Sequence, residues 1–241
     1  MKMQGDSLLW LLILNAISHV WEGTKKFLPF IHVAMKNKSI LILLIAMVFL
    51  SSCRALFETF VGIHQMDQFD SDKYETFIGR LPNDIPFTSV IGTAEQSLEV
   101  MKFDTTEWYM HKLYQPIQLL YFHGNELVSY HVNCTAPARG LGLNWNYDQR
   151  FESFPPKSPL NCDSTSITLD QYTDVYPEIY GNGKYTLIVF WSNILEKVSR
   201  SAIVTAFKNL KKFGQVSNCD VFLINDDLFL IEMMKNEGQT E

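Results

Sequence analysis

The sequence predicts an α+β fold, in which an antiparallel hairpin region is followed by a β-α-β C-terminal module. Three observations carry this. Residues 117–123 and 126–132 are apolar-rich segments joined by Gly124-Asn125, and a two-residue Gly-Asn connection favours a hairpin because Gly accepts positive φ. Residues 185–191 and 221–224 are continuous apolar runs, as expected of strands buried on both faces of a parallel sheet. Between them Leu195, Val198, Ala202, Ala206, Leu210 and Phe213 recur at helical spacing. A strand–helix–strand of this length implies a right-handed parallel crossover.

Composition narrows the function classes. The 241 residues hold 20 Lys+Arg and 26 Asp+Glu, a net charge of −6, with 47% hydrophobic and 13% aromatic residues. That is a globular composition. Residues 1–52 carry five Lys and two acids, which leaves 15 basic and 24 acidic residues, a net of −9, from Cys53 onward. An acidic body repels phosphate backbones, so no nucleic-acid partner is expected.

At the N-terminus, Lys36 and Lys38 precede an uninterrupted apolar run over residues 40–50, and Ser51 and Ser52 lead into Cys53. This is the layout of a signal peptide, too short to span a bilayer. The ending Leu50-Ser51-Ser52-Cys53 resembles the lipobox of bacterial lipoproteins. The resemblance implies acylation of the Cys53 thiol, cleavage just before it, and anchoring to the lipid bilayer of the cell envelope, with the leaflet open because Arg54-Ala55-Leu56-Phe57 carries no acidic sorting signal. Several acyl chains are needed because one gives only marginal membrane binding. Residues 1–34 contain a second, interrupted apolar run. Either Met1 is a mis-called start and translation begins at Met35, which is the favoured reading, or the chain has an extra membrane-inserting segment. The expected organisation is an upstream extension over 1–34, a signal peptide over 35–52, a tether over 53–84 and a single α+β domain over 85–241.

Within the tether, Asp67, Asp70 and Asp72 are spaced like the start of a calcium loop, but its Gly and terminal Glu are missing at the required offsets. In the hairpin, regular pairing sets His123 opposite Glu126, Leu119 opposite Tyr130 and Gln118 opposite His131. It puts Ile117, Leu119, Tyr121, Val128, Tyr130 and Val132 on one face, with His123 and His131 on opposite faces and too far apart to share a metal ion. No metal site is expected, nor any cofactor or catalytic residue: hydrolase elbow, phosphate loop and metalloprotease helix are all missing.

Residues 135–163 form a loop rich in Pro, Gly and Asn. Trp145, Tyr147 and Phe151 are candidates for an exposed, ligand-stacking aromatic surface, against the alternative that the loop covers the core edge. Cys134 and Cys162 could form a disulfide closing this loop, worth ~3 kcal/mol by chain entropy, whereas Cys219 reads as a small core residue. The carboxylates Asp226 and Asp227 could do acid–base work; the simpler reading places them at the N-terminus of a last helix through Met233 and Met234. A helix capped by Thr168 is expected to run through Tyr180.

The segment Leu187-Ile188-Val189-Phe190-Trp191-Ser192, the helix after it and the strand ending Ile224-Asn225-Asp226-Asp227 resemble part of the thioredoxin fold, so that the C-terminal module is thioredoxin-like over residues 168–227. Where that family carries Cys-x-x-Cys, this chain has Asn193, Ile194, Leu195, Glu196 and Lys197, so no thiol stands at the helix N-terminus. The sequence ends before the family's later hairpin. Two function classes follow. The favoured one is a membrane-anchored envelope lipoprotein with a non-catalytic binding or structural role, its partner an envelope protein. The alternative is an envelope thiol–disulfide or peroxide-handling enzyme using a displaced thiol, Cys219 or Cys162.

Overall fold

Apolar runs that expose neither face need cover on both, and the architecture supplies it with one mixed sheet between two helical layers. The computed structural model describes residues 66–103, 115–133, 135–139, 142–159, 162 and 166–237. The chain divides into units Met1–Leu56 and Phe57–Glu241, and every described residue lies in the second. The expected extension, signal peptide and Cys53 lie outside the described residues, as does Cys134. In chain order the elements are α1 (Ser71–Gly79), β1 (Thr88–Ile91), α2 (Ala94–Val100), β2 (Gln118–His123), β3 (Glu126–Val132), β4 (Ala138–Arg139), β5 (Gly142–Leu143), a short 3-10 segment (Tyr147–Glu152), α3 (Leu169–Val175), β6 (Tyr185–Trp191), α4 (Glu196–Lys212), β7 (Cys219–Asn225) and α5 (Asp227–Glu237).

The five-stranded sheet has the order β1-β7-β6-β2-β3. β7 runs parallel to both β1 and β6, and β2 runs antiparallel to β6 and to β3. On one face Leu119, Tyr121, Leu187, Val189, Trp191, Val221 and Leu223 meet α4 through Val198, Ala202, Ile203, Ala206, Phe207 and Leu210. On the other, Leu120, Phe122, Ile188, Phe190, Phe222 and Ile224 meet Leu169 and Tyr172 of α3. The α+β class and the strand–helix–strand β6-α4-β7 agree with the sequence. The hairpin, however, pairs with β6 from upstream of that module, whereas the thioredoxin resemblance places one after it.

Three expectations need correction. The hairpin register holds at His123↔Glu126 and then shifts: Phe122 pairs Leu127 and Tyr121 pairs Ser129, so Val128 is an extra residue. A bulge of this kind reverses the facing of everything beyond it. Leu119 therefore opposes His131 and Leu120 opposes Tyr130; Tyr130 and Val132 join the Leu120 face, and His131 lies on the Leu119 face, its ring tilted against Phe151 with centroids 4.7 Å apart. His123 and His131 thus share a face, but four residues of strand, roughly 13 Å at ~3.3 Å each, still separate them.

The tether expectation fails over α1. Tyr74 and Phe77 are buried, and Phe77 stacks on Trp191 with ring centroids 4.1 Å apart. An i, i+3 aromatic pair hides among acids there, with Asp70 capping the helix by accepting from Lys73 N–H at 3.0 Å. Finally, the helix following Thr168 stops at Val175, not Tyr180. Pro177 forces Tyr176 into extended backbone, φ −119° and ψ 91°. Its start is as expected, and the hairpin turn caps it: Asp170 N–H donates to Asn125 Oδ1 and Leu169 N–H to Asn125 O.

Candidate functional site

In a sheet of parallel strands, the carboxyl ends present diverging loops and helix N-termini, and ligand sites form there. Here the carboxyl ends of β6 and β7 carry Ser192-Asn193 and Asn225-Asp226-Asp227, all buried. Asp227 holds these two ends together. Its Oδ1 accepts from Ser192 Oγ (2.5 Å) and Asn193 N–H (2.8 Å), and its Oδ2 from Asn193 Nδ2 (2.8 Å) and Asn225 Nδ2 (3.0 Å). Ser199 of α4 extends the network, donating to Ser192 O at 2.7 Å. A carboxylate with four donors inside the fold has no lone pair left for chemistry, so Asp227 is structural.

Asp226 differs. Its Oδ1 accepts from Ser97 Oγ of α2 at 2.6 Å, while Oδ2 accepts no hydrogen bond among the described residues. Burial, opposed by Ser97 and reinforced by the Asp227 charge, pushes its carboxyl up to about 6. The Tyr176 hydroxyl lies beside Ser97 and Asp226 without a hydrogen bond of ordinary geometry. It is fully buried, and burial together with the Asp226 charge raises it far above its ordinary value. The close approach of this corner favours Gly92, since a Cβ there would stand a tight 3.2 Å from both Asn225 O and Tyr176 Oη.

Asp226 also lines a cavity of about 230 Å³ between α2, α5 and the β2 end of the sheet. Its walls are mostly apolar, including Val100, Tyr172, Phe190, Phe229 and Met233, with Ser97, Gln115 and Gln118 as further polar residues in the lining. The sequence offered Asp226 as an acid–base candidate and, more simply, as a helix-start residue, and it gave no sign of Ser97 or Tyr176. The available signal was the Asn-Asp-Asp run directly after a fully apolar strand, at the carboxyl edge where such sheets bind ligands.

The residues expected from sequence lie elsewhere. Trp145 and Phe151 are buried, 2% and 4% exposed, in the core cluster of the α4 face, and Tyr147 packs against that cluster. They do not form an exposed aromatic surface; the loop covers the core edge. Asn209 of α4 pulls it in, its Nδ2 donating to Phe151 O (2.8 Å) and Ser153 O (2.9 Å). Arg150 caps the outer ring of Tyr147, 4.7 Å from its centroid. Cys162 is half-buried against the opposite cluster, and its suggested partner Cys134 falls outside the described residues. Cys219 is buried in β7, and burial with the Asp220 charge pushes its thiol up to about 12. His131 is buried too; burial first and the Arg150 charge second lower it to about 3. Among the described residues no group of three or more His, Cys, Asp or Glu is arranged to hold a metal ion.

No family model, no curated protein and no solved structure matches this chain.

Proposed function

We propose that this chain is a membrane-anchored lipoprotein of a bacterial cell envelope, acylated at Cys53, whose α+β body is a non-catalytic binding module. The observation that carries the binding role is the cavity beside Asp226, a largely apolar space lined by a carboxylate of which Oδ1 is taken by Ser97. The anchor rests on the Leu50-Ser51-Ser52-Cys53 ending and the apolar run before it. Against the thiol-enzyme alternative, Cys219 is buried with its thiol held near 12, and the N-terminus of α4 carries no thiol. A thiol so placed is protonated at neutral pH, and the thiol is not the nucleophile.

Intact-mass measurement of the membrane-extracted protein, with N-terminal peptide mapping, tests the anchor. The expected product begins at Cys53 with acyl groups attached, and Cys53→Ser leaves the chain uncleaved and unacylated. A mature chain that retains Met1 and carries no lipid would overturn the reading.

A further inference from the structure

Resting on the binding-module reading, we propose that the cavity beside Asp226 takes a small amine with an apolar body, its ammonium group paired with Asp226 Oδ2. The charge pattern selects the sign. Asp226 is 5% exposed, and among the described residues it contributes the one ionisable carboxylate to the lining, which holds no described Lys, Arg or His. The nearest further charge is Asp227, also negative. A buried carboxylate without a cation lacks its compensating partner, so a ligand cation is attracted and a ligand anion is opposed by two acids.

The walls select the rest of the molecule. Tyr172, Phe190 and Phe229 are in the lining, and the face of an aromatic ring attracts an adjacent cation through its quadrupole. Gln118 turns its amide nitrogen to Gln115 O at 3.0 Å, which leaves its carbonyl oxygen as a second acceptor for an N–H. A cavity of ~150 Å³ holds a benzene ring, so about 230 Å³ suits a single ring bearing a short aminoalkyl arm. The groups facing Asp226 are Ser97 from α2, Tyr176 after α3 and Asp227 on its own element. Among the described residues none supplies a positive charge, and binding therefore weakens as the pH falls below about 6, where Asp226 takes up a proton.

The test is calorimetric titration of the full chain at neutral pH with 2-phenylethylamine, 2-phenylethanol and 3-phenylpropanoate. The amine is expected to bind, the alcohol ~10-fold or more weakly, and the carboxylate not at all. Asp226→Asn is expected to reduce amine affinity by ~10-fold or more while leaving the alcohol within ~2-fold. Absence of amine binding, equal binding of amine and alcohol, tighter binding of the carboxylate, or an unchanged amine affinity in Asp226→Asn would each overturn the proposal. If Asp226→Asn does not fold, Met233→Trp on the outer wall decides: it should fill the cavity and abolish amine binding, and persistent binding refutes the site. The mass of the same sample keeps the two readings apart. An acylated chain that ignores the amine defeats the ligand class alone; an unacylated chain that binds it defeats the anchor alone.

Discussion

Ser97 has one hydroxyl proton and two acceptors in reach, Asp226 Oδ1 at 2.6 Å and Thr93 O at 3.1 Å. When Asp226 is ionised one acceptor goes without; when it is protonated, Asp226 can donate to Ser97 and Ser97 to Thr93. Burial outweighs the Ser97 hydrogen bond, which favours the ionised form, and holds the carboxyl at about 6 against the ordinary 3.8. The folded state carries the full cost of ionising Asp226 above pH 6, and this cost is relieved as pH falls toward 3.8, worth ~3 kcal/mol in all. His131 has the opposite sign. Its folded value of about 3 against 6.5 means stability is complete above 6.5 and is lost as pH falls toward 3. At pH 5 the relief is about one pK unit and the loss about one and a half, so the two nearly cancel. Asp226→Asn removes the relief, and the unfolding free energy of that variant should drop by ~2 kcal/mol between pH 6.5 and 5 where the parent stays nearly level. Urea titrations across that range check this; parallel pH profiles for the two proteins would refute it. Asp227 predicts differently. Asp227→Asn replaces one of the acceptor oxygens by a donor facing other donors, leaving buried N–H or O–H groups unmet, and should cost about 2–4 kcal/mol at any pH near neutrality, seen as a lowered denaturant midpoint.

At the scale of elements, the bulge at Val128 explains a hairpin whose residue pattern misleads. Both faces of β3 are covered, so alternation does not reveal which residues belong to which face. An extra residue leaves the apolar count unchanged while moving Tyr130 and Val132 to the α3 side. Deleting Val128 should therefore leave Ser129, Tyr130, His131 and Val132 on their present faces, opposite the same β2 partners. The expected result is a cooperatively folded protein that loses only about 1–2 kcal/mol, chiefly from the packing of Val128 itself; loss of cooperative unfolding would show the bulge to be required. The same logic separates what was legible from what was not. β6, α4 and β7 could be read directly, because Leu187 to Trp191 and the Val198, Ala202, Ala206 and Leu210 stripe each have one periodicity. The end of α3 depended on a local stop, Pro177, that outweighs the continuing helical pattern. α1 was obscured by its acids, which cap and solvate one side of a helix while Tyr74 and Phe77 bury the other.

Across the whole molecule, the candidate site was the least legible part, since it is assembled by tertiary contacts. Ser97 and Asp226 are 129 positions apart, and they meet because β1 lies parallel to β7, bringing the start of α2 beside the start of α5. Asn225-Asp226-Asp227 was visible in the sequence as chemistry without a location. The same sheet places Cys219, and its position leads to a prediction about its reactivity. Cys219 begins β7, where it pairs with Tyr185 of β6, and it is 6% exposed with its thiol near 12. Burial of this strand start is expected to keep the sulfur from reagent until β7 parts from β6. Its alkylation should then proceed through global unfolding, slowed relative to an unfolded thiol by the unfolding equilibrium constant, ~10⁴-fold for a stability near 6 kcal/mol. Mass-resolved labelling with iodoacetamide across a urea series measures this, and the labelling rate of Cys219 should rise with the same denaturant slope as global unfolding. A rate that is fast in the absence of urea, or that ignores urea, would mean the strand opens on its own, and would restore Cys219 as a reactive thiol of a redox protein.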